Sequence, residues 1–186
     1  MKYFDALTVM DESVDADPVW MRTVYMPIAC PRCRDVLPHL EGSIDVDLLT
    51  VPLGPSANVG FPVRLELFRT DLFAAFQAHM PEFFFGSVRK KGVRVPDYVS
   101  VFAGDGARTK EYADRFCEYG NCPHCGRIGQ RRVVGNKWFK RSEVGDRLVF
   151  SGVGGGGTYV AESLIDRLNP ELRRELKLWP VDIRDE

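Results

Sequence analysis

The fold of this 186-residue chain depends on two short stretches of sequence, Cys30-Pro31-Arg32-Cys33 and Cys122-Pro123-His124-Cys125-Gly126. A Cys-x-x-Cys turn directs two thiolates at one point, and two such turns complete the tetrahedral shell that zinc prefers. Residues 34–121 can separate the turns, because the entropy cost of loop closure grows only with the logarithm of loop length. The sequence therefore predicts a zinc ribbon with knuckles at 30–33 and 122–125, and a structural zinc ion bound by Cys30, Cys33, Cys122 and Cys125.

The residue that follows each turn affects how well the knuckle can form. Gly126 follows the second turn and can adopt the positive φ that directs backbone N–H groups towards sulfur. Arg34 stands at the same place after the first turn, where a positive φ costs a non-glycine residue roughly 1–2 kcal/mol. Structural zinc contributes on the order of 10 kcal/mol, which is enough to offset that cost.

Other interpretations of the cysteines remain open at this point. Either pair could be a redox dithiol of the thioredoxin type, or the two turns could hold no metal. The fifth cysteine, Cys117, is expected to be a small buried hydrophobic residue, although it could replace a ligand or form a disulfide under oxidation. His124 lies inside the second turn and is expected to point outward.

Composition and charge restrict the class of protein. The chain is 45% hydrophobic and carries 25 Lys and Arg against 26 Asp and Glu, which is typical of an ordinary globular protein. Its net charge of −1 gives no overall attraction to nucleic acid or to an anionic membrane. We find neither a signal-peptide pattern at the N-terminus nor an apolar stretch of about 18 residues that could span a membrane. The sequence thus predicts a cytoplasmic protein with no membrane partner.

The order of predicted elements indicates an α+β fold in a single domain covering residues 1–186. A mixed or antiparallel sheet with a few helices is expected, and residues 36–116 are inserted between the two knuckles. The β-prone stretches, bounded by turn residues, predict strands at 3–10, 19–29, 43–51, 93–103 and 178–181.

Two helices are predicted from apolar spacing and capping residues. The first lies within 61–80, where Thr70 is the expected N-cap and one buried face contains Leu72, Phe73, Phe76 and Met80. The second follows the glycine run 154–157 and extends from Thr158, its expected cap, to Leu168. Asn169-Pro170 then begins a last helical turn.

Motifs of catalysis are missing from the sequence. The glycine run 154–157 lacks the Gly-Lys-Ser/Thr that completes a phosphate-binding loop. The chain has no Gly-x-Ser-x-Gly elbow and no His-Glu-x-x-His pair, and its three histidines are scattered. We therefore predict that the protein is not an enzyme.

The chain resembles the double-CXXCG motif family of the Myxococcales. The second motif matches in full, whereas the first matches as Cys30-Pro31-Arg32-Cys33 with Arg34 in place of glycine. The wide spacing, the total length and the apolar C-terminal stretch also fit. The resemblance implies a non-enzymatic immunity protein that binds and neutralises a cognate bacterial toxin, and it carries over only the four cysteines.

Two basic stretches suggest an alternative. Residues 89–94 carry four cations, and residues 127–141 combine cations with Trp138 and Phe139. Such a mixture on a zinc ribbon can bind single-stranded nucleic acid through phosphate contacts and stacking, which would make the chain a nucleic-acid-binding or regulatory protein. Either stretch could instead be a solvated strand face, or could face an acidic toxin surface. The sequence leaves the oligomeric state open.

Overall fold

The computed structural model describes residues 1–5, 13–60, 62–153 and 157–185. Within these ranges the protein is α+β, as predicted, with many short strands and few helices. In chain order the strands are β1 (Tyr3–Asp5), β2 (Ser13–Val14), β3 (Val46–Leu48), β4 (Ser56–Val59), β5 (Glu66–Arg69), β6 (Phe83–Lys90), β7 (Val93–Ala103), β8 (Arg108–Thr109), β9 (Tyr112–Ala113), β10 (Phe116–Asn121), β11 (Ile128–Val134), β12 (Lys137–Lys140), β13 (Val149–Gly152), β14 (Thr158–Ala161) and β15 (Trp179–Arg184).

The helices are all short. None of those in the described ranges is long and apolar enough to cross a membrane. The α-helical segments are α1 (Pro18–Trp20), α2 (Met26–Ile28), α3 (Thr70–Phe76), α4 (Arg141–Val144), α5 (Glu162–Ile165) and α6 (Pro170–Glu175), with a π-helical turn at Met21–Tyr25 between the first two and single 3₁₀ turns at Pro38–Leu40, Gln77–His79 and Asp105–Ala107.

Two mixed sheets and one ribbon organise the strands. The six-stranded sheet has the order β2-β4-β5-β7-β6-β3 and is built from residues 13–103. The seven-stranded sheet has the order β8-β13-β14-β1-β15-β12-β9, so the N-terminal strand lies between strands from the C-terminal part of the chain. β10 and β11 pair with each other as a separate antiparallel ribbon.

The two sheets share a hydrophobic core. Phe68 and Val101 of the six-stranded sheet belong to the same buried cluster as Val149 and Val160 of the seven-stranded sheet. A second cluster, centred on Tyr25 and its neighbours, lies within the half of the fold that carries the first cysteine pair. The first knuckle is therefore attached to a well-packed part of the protein.

The strand predicted at 19–29 is wrong, because this segment is helical. The carboxylate of Asp17 accepts hydrogen bonds from the backbone N–H groups of Val19 and Trp20, and Pro18 occupies the first helical position. An N-cap followed by proline is a strong helix-start signal. Here the local capping overrides the β-propensity of the residues that follow.

The helix predicted within 61–80 is confirmed only in its second half. Glu66–Arg69 forms β5, which pairs with both β4 and β7, and the helix begins at Thr70 with Arg69 as its N-cap. Pairing on both sides of the strand outweighs the helical spacing of its side chains. The expected helix face is buried at Leu72, Phe76 and Met80, whereas Phe73 is partly buried and contacts Phe85 edge-on.

Of the predictions for the C-terminal part of the chain, some are confirmed and others are wrong. Thr158 begins strand β14 instead of capping a helix, and α5 starts at Glu162. Asn169 does cap α6, since its side chain accepts hydrogen bonds from the N–H groups of Glu171 and Leu172. The closing strand is confirmed as β15. Residues 6–10 of the first predicted strand and 154–156 of the glycine run lie outside the described residues.

Candidate metal centre

The four cysteines predicted as ligands come together at one point. The Sγ atoms of Cys30 and Cys122 lie 3.7 Å apart, as do those of Cys33 and Cys125, and all four sulfurs lie within 4.8 Å of one another. A tetrahedral zinc ion with Zn–S bonds of ~2.3 Å requires S···S separations of ~3.8 Å. All four are free thiols, so the cluster could hold a metal ion.

The two knuckles have the same backbone geometry. In the first, the N–H of Arg34 donates to the carbonyl of Cys30 at 2.9 Å, and Arg34 has φ of 64°. In the second, the N–H of Gly126 donates to the carbonyl of Cys122 at 2.8 Å, and Gly126 has φ of 74°. Arg34 thus adopts the left-handed conformation that glycine adopts in the second turn.

The first knuckle is positioned by the helical segment before it. The hydroxyl of Tyr25 donates to the carbonyl of Arg34 at 2.9 Å, and its ring is fully buried in the second core cluster. Burial raises the pKa of this hydroxyl to about 12, so it remains a donor. The helical segment 18–28, where the sequence predicts a strand, therefore holds Arg34 in its left-handed conformation.

The second knuckle lies at the tip of the β10–β11 ribbon. The ribbon strands run antiparallel from Phe116↔Val134 at the base to Asn121↔Ile128 next to the cysteines. The N–H of Cys122 donates to the carbonyl of Arg127 at 2.9 Å and closes the turn. An equivalent hydrogen bond closes the first turn, where the N–H of Cys30 donates to the carbonyl of Asp35 at 2.7 Å.

Asp35 and Arg127, which occupy equivalent places in the two knuckles, carry opposite charges and lie together. Asp35 is 2% exposed, and its Oδ2 lies 3.8 Å from Nε of Arg127 and 2.8 Å from Nη1 of Arg108. Burial by itself raises the pKa of a carboxyl, but the hydrogen bonds and charge of Arg108, with the charges of Arg127 and Arg64, hold the pKa of Asp35 below its usual value. This carboxylate therefore remains ionised between the knuckles.

The guanidinium of Arg127 is buried and its charge is shared by several acceptors. Nη1 lies 2.5 Å from Oδ1 of Asp105, and Nη2 lies 2.5 Å from Oε1 of Glu41. Nη2 also donates to the carbonyl of Val36 at 2.8 Å. Removing one partner of such a network leaves an uncompensated buried charge, which is strongly destabilising. The network therefore joins both knuckles to the 3₁₀ turn that precedes β8.

Sequence reasoning missed this network. The sequence does contain a signal for part of it. In each knuckle the residue at positive φ is followed by a charged residue, which is acidic in the first knuckle (Asp35) and basic in the second (Arg127). The two knuckles share the same backbone geometry and meet at the cysteine cluster, so their equivalent positions lie close together. Arg108, Glu41 and Asp105 come from elsewhere in the chain, and no local pattern marks them.

The fifth cysteine and the histidine of the second turn do not join the cluster. Cys117 is partly exposed, and its thiol donates to the carbonyl of Glu111 at 3.0 Å. His124 is exposed at the tip of the second turn, as predicted.

Three cations of the basic stretch 127–141 are paired with carboxylates. Arg127 is buried among carboxylates, Nζ of Lys137 lies 3.0 Å from Oε2 of the buried Glu111, and Arg141 pairs with Asp185. Trp138 and Phe139, the two aromatic residues of this stretch, are buried. A stacking platform needs exposed rings, so this stretch offers little to a nucleic-acid strand.

The left-handed conformation at Gly126 provides a test of the knuckle geometry. A Cβ at Gly126 would meet no atom within 4 Å, so the only penalty of Gly126→Ala is the positive φ. We expect a loss of about 1 kcal/mol in the free energy of unfolding, measured by denaturant titration. Gly42→Ala is the matched control, because its Cβ also meets open space and its φ is not positive. Equal stability of the two variants would contradict the left-handed conformation at Gly126.

No protein-family model matches the sequence, and no curated protein matches it.

Proposed function

We propose that the four cysteines bind one structural zinc ion in a two-knuckle zinc ribbon. Four sulfur ligands at tetrahedral spacing fit zinc better than they fit a hard cation such as Mg²⁺ or Ca²⁺. Four protein ligands fill the tetrahedral shell and leave no position for water or substrate, which is typical of structural sites. Zinc in this site would stabilise the fold and would not take part in catalysis.

The proposed zinc fastens the ribbon to the rest of the protein. An isolated two-stranded hairpin is marginally stable in water. No described residue of 116–134 belongs to the three buried core clusters. The tip of the ribbon is instead held by the cysteine cluster and by the ion pairs of Arg127. Zinc would thus supply the rigidity that the hydrophobic core supplies elsewhere.

For the protein as a whole, we propose a non-enzymatic immunity protein that acts in the cytoplasm by binding one cognate toxin. The observation that carries this proposal is the convergence of both motifs on one cluster, because the paired motifs are the basis of the resemblance to the myxobacterial family. Blocking a toxin requires a complementary surface and no reactive group. The burial of Trp138 and Phe139 makes the nucleic-acid alternative less favourable.

Co-expression tests the immunity function. The test pairs this protein with the product of the neighbouring reading frame, if that product is a secreted protein with a variable C-terminal domain. The toxin domain alone should arrest growth of the host, and this protein should restore it. Cys30→Ser, which removes a buried ligand, should restore growth poorly, whereas Cys117→Ser should act like the natural protein. Arrest that the natural protein fails to relieve would reject the proposed function.

A further inference from the structure

The hairpin that joins β6 to β7 carries an unusual turn. Lys91 has φ of 51° and Gly92 has φ of 79°, so both central residues of the turn are left-handed. Such a turn favours Asn-Gly or Gly-Gly, because a long side chain pays a steric cost at positive φ. The hairpin thus carries a lysine where asparagine would fold better.

A cross-strand pair two positions from the turn is also unfavourable for folding. Arg89 and Arg94 lie directly opposite each other in the β6–β7 register. Like charges in directly opposed positions destabilise a sheet. Asp45 compensates in part: its Oδ2 lies 3.7 Å from Nη2 of Arg89, and the charges of both arginines help to lower the pKa of its carboxyl. The compensation is limited, because both side chains of the Arg89–Asp45 ion pair are more than half exposed.

The tip is highly exposed, and its four cations outnumber the two carboxylates beside it, Asp45 and Asp47. The Oδ2 of Asp47 accepts a hydrogen bond from the N–H of Gly92 at 2.7 Å. Lys90, Lys91 and Arg94 form no ion pair within the described ranges. Val93, the cross-strand partner of Lys90, is 71% exposed. Four cations therefore surround one exposed aliphatic side chain at the end of a rigid hairpin. We define this surface, residues 89–94, as the basic tip.

We propose that the basic tip is the docking surface for an acidic patch on a partner protein. The inference rests on the proposed function and names the surface that would contact the toxin. Two separate features, the left-handed lysine and the opposed arginines, both reduce fold stability and both add positive charge. Residues that break local folding rules in this way are expected at functional sites. Acidic groups of a partner would pair with the cations that Asp45 and Asp47 leave uncompensated, while Val93 would enter an apolar recess.

The residues around the tip favour a protein over the other polyanions. Residues 88–97 contain no aromatic side chain on which a base could stack. One exposed valine offers a lipid bilayer little apolar surface to bury. A mixed surface of cations around an aliphatic residue is better matched by a protein surface with an acidic rim.

The test compares stability with binding in the same variants. Lys91→Asn and Arg94→Thr should each raise the melting temperature of the metal-loaded protein, since they remove the steric and electrostatic costs described above. Each should weaken low-salt binding of an oligo-glutamate peptide by roughly fivefold, as expected for the loss of one exposed ion pair. In the growth assay, the double variant should protect less than the natural protein. Arg22→Gln removes one exposed cation from the helical segment and is the matched control, expected to leave both readouts unchanged.

The outcomes separate this inference from the proposed function. If the natural protein protects against the toxin and the stabilised double variant protects equally well, the basic tip is not the docking surface. If the natural protein gives no protection, the immunity function fails, and oligo-glutamate binding still decides whether the tip recognises acidic peptides. Unchanged peptide affinity in both variants would overturn the inference. The inference would also be overturned if the two substitutions weakened binding of a single-stranded oligonucleotide and left binding of the peptide unchanged. The tip would then be a nucleic-acid site.

Discussion

Chelation of the proposed zinc is expected to release the β10–β11 ribbon while leaving both sheets folded. Structural zinc sites contribute on the order of 10 kcal/mol of binding free energy, more than any one side chain in this fold. No described side chain of 116–134 belongs to a core cluster, and the edge-on contact of Tyr119 with Tyr112 is little packing to replace the metal. The sheets retain their shared core of Phe68, Val101, Val149 and Val160.

Hydrogen exchange measured with and without a chelator would show this directly. Amide protection should be lost in β10, β11 and the two knuckles and should persist in β13 and β14. Native mass spectrometry should find one zinc ion per chain in the untreated protein. A protein purified without metal whose ribbon amides are as protected as those of β13 would contradict the proposal.

Substitution of a ligand should reproduce the effect of chelation. Cys30→Ser and Cys125→Ser each remove one thiolate from the cluster and should abolish stoichiometric zinc binding. Cys117→Ser is the matched control, because Cys117 lies outside the cluster and a serine hydroxyl can also donate to the carbonyl of Glu111. If Cys117→Ser removed the metal while Cys125→Ser retained it, the assigned ligand set would be wrong.

The sequence predicts the cysteine cluster because the information is local. Each Cys-x-x-Cys turn defines half of the site, and sulfur chemistry leaves few ways to combine two halves. The positive φ at Arg34 follows from the same logic, since that residue takes the place of Gly126. These features do not depend on knowing how the rest of the chain packs.

Features that depend on long-range pairing were not predictable in the same way. β5 has helical spacing but lies between β4 and β7, and only the presence of those strands makes it a strand. The ion pairs of Arg127 with Glu41 and Asp105 join positions far apart in sequence. The strand predicted at 19–29 is wrong for another reason. The helix-start signal Asp17-Pro18 is local and present in the sequence, and it outweighs the β-propensity of the residues that follow.

Gly86→Ala is expected to be strongly destabilising, although it adds only one methyl group and lies outside the metal centre. A Cβ at Gly86 would lie 2.2 Å from the carbonyl oxygen of Ile44 and 2.6 Å from Oγ of Ser100. The same carbonyl accepts the hydrogen bond of the buried Ser100 hydroxyl at 2.5 Å. Relieving the clash means moving backbone, so we expect a loss of about 3 kcal/mol in the free energy of unfolding.

The displaced segment connects Gly86 to the metal centre. Asp45, the neighbour of Ile44, accepts a hydrogen bond from the indole of Trp20 through its carbonyl and one from the N–H of Ser87 through its carboxylate. Trp20 packs against Tyr25, which holds the first knuckle. We therefore expect Gly86→Ala to weaken zinc affinity as well as stability, although it lies outside the cluster.

Gly129→Ala is the matched control for this substitution. It also places a methyl group in a strand, but its Cβ would meet no atom within 4 Å. Its effect on the free energy of unfolding should stay within about 0.5 kcal/mol, as for other surface changes. Denaturant titration of both variants, together with competition for zinc against a chelator, measures the two effects separately. If Gly86→Ala lost stability but kept full zinc affinity, the path from Ile44 through Trp20 to the first knuckle would be refuted, because the strain would then end within the six-stranded sheet.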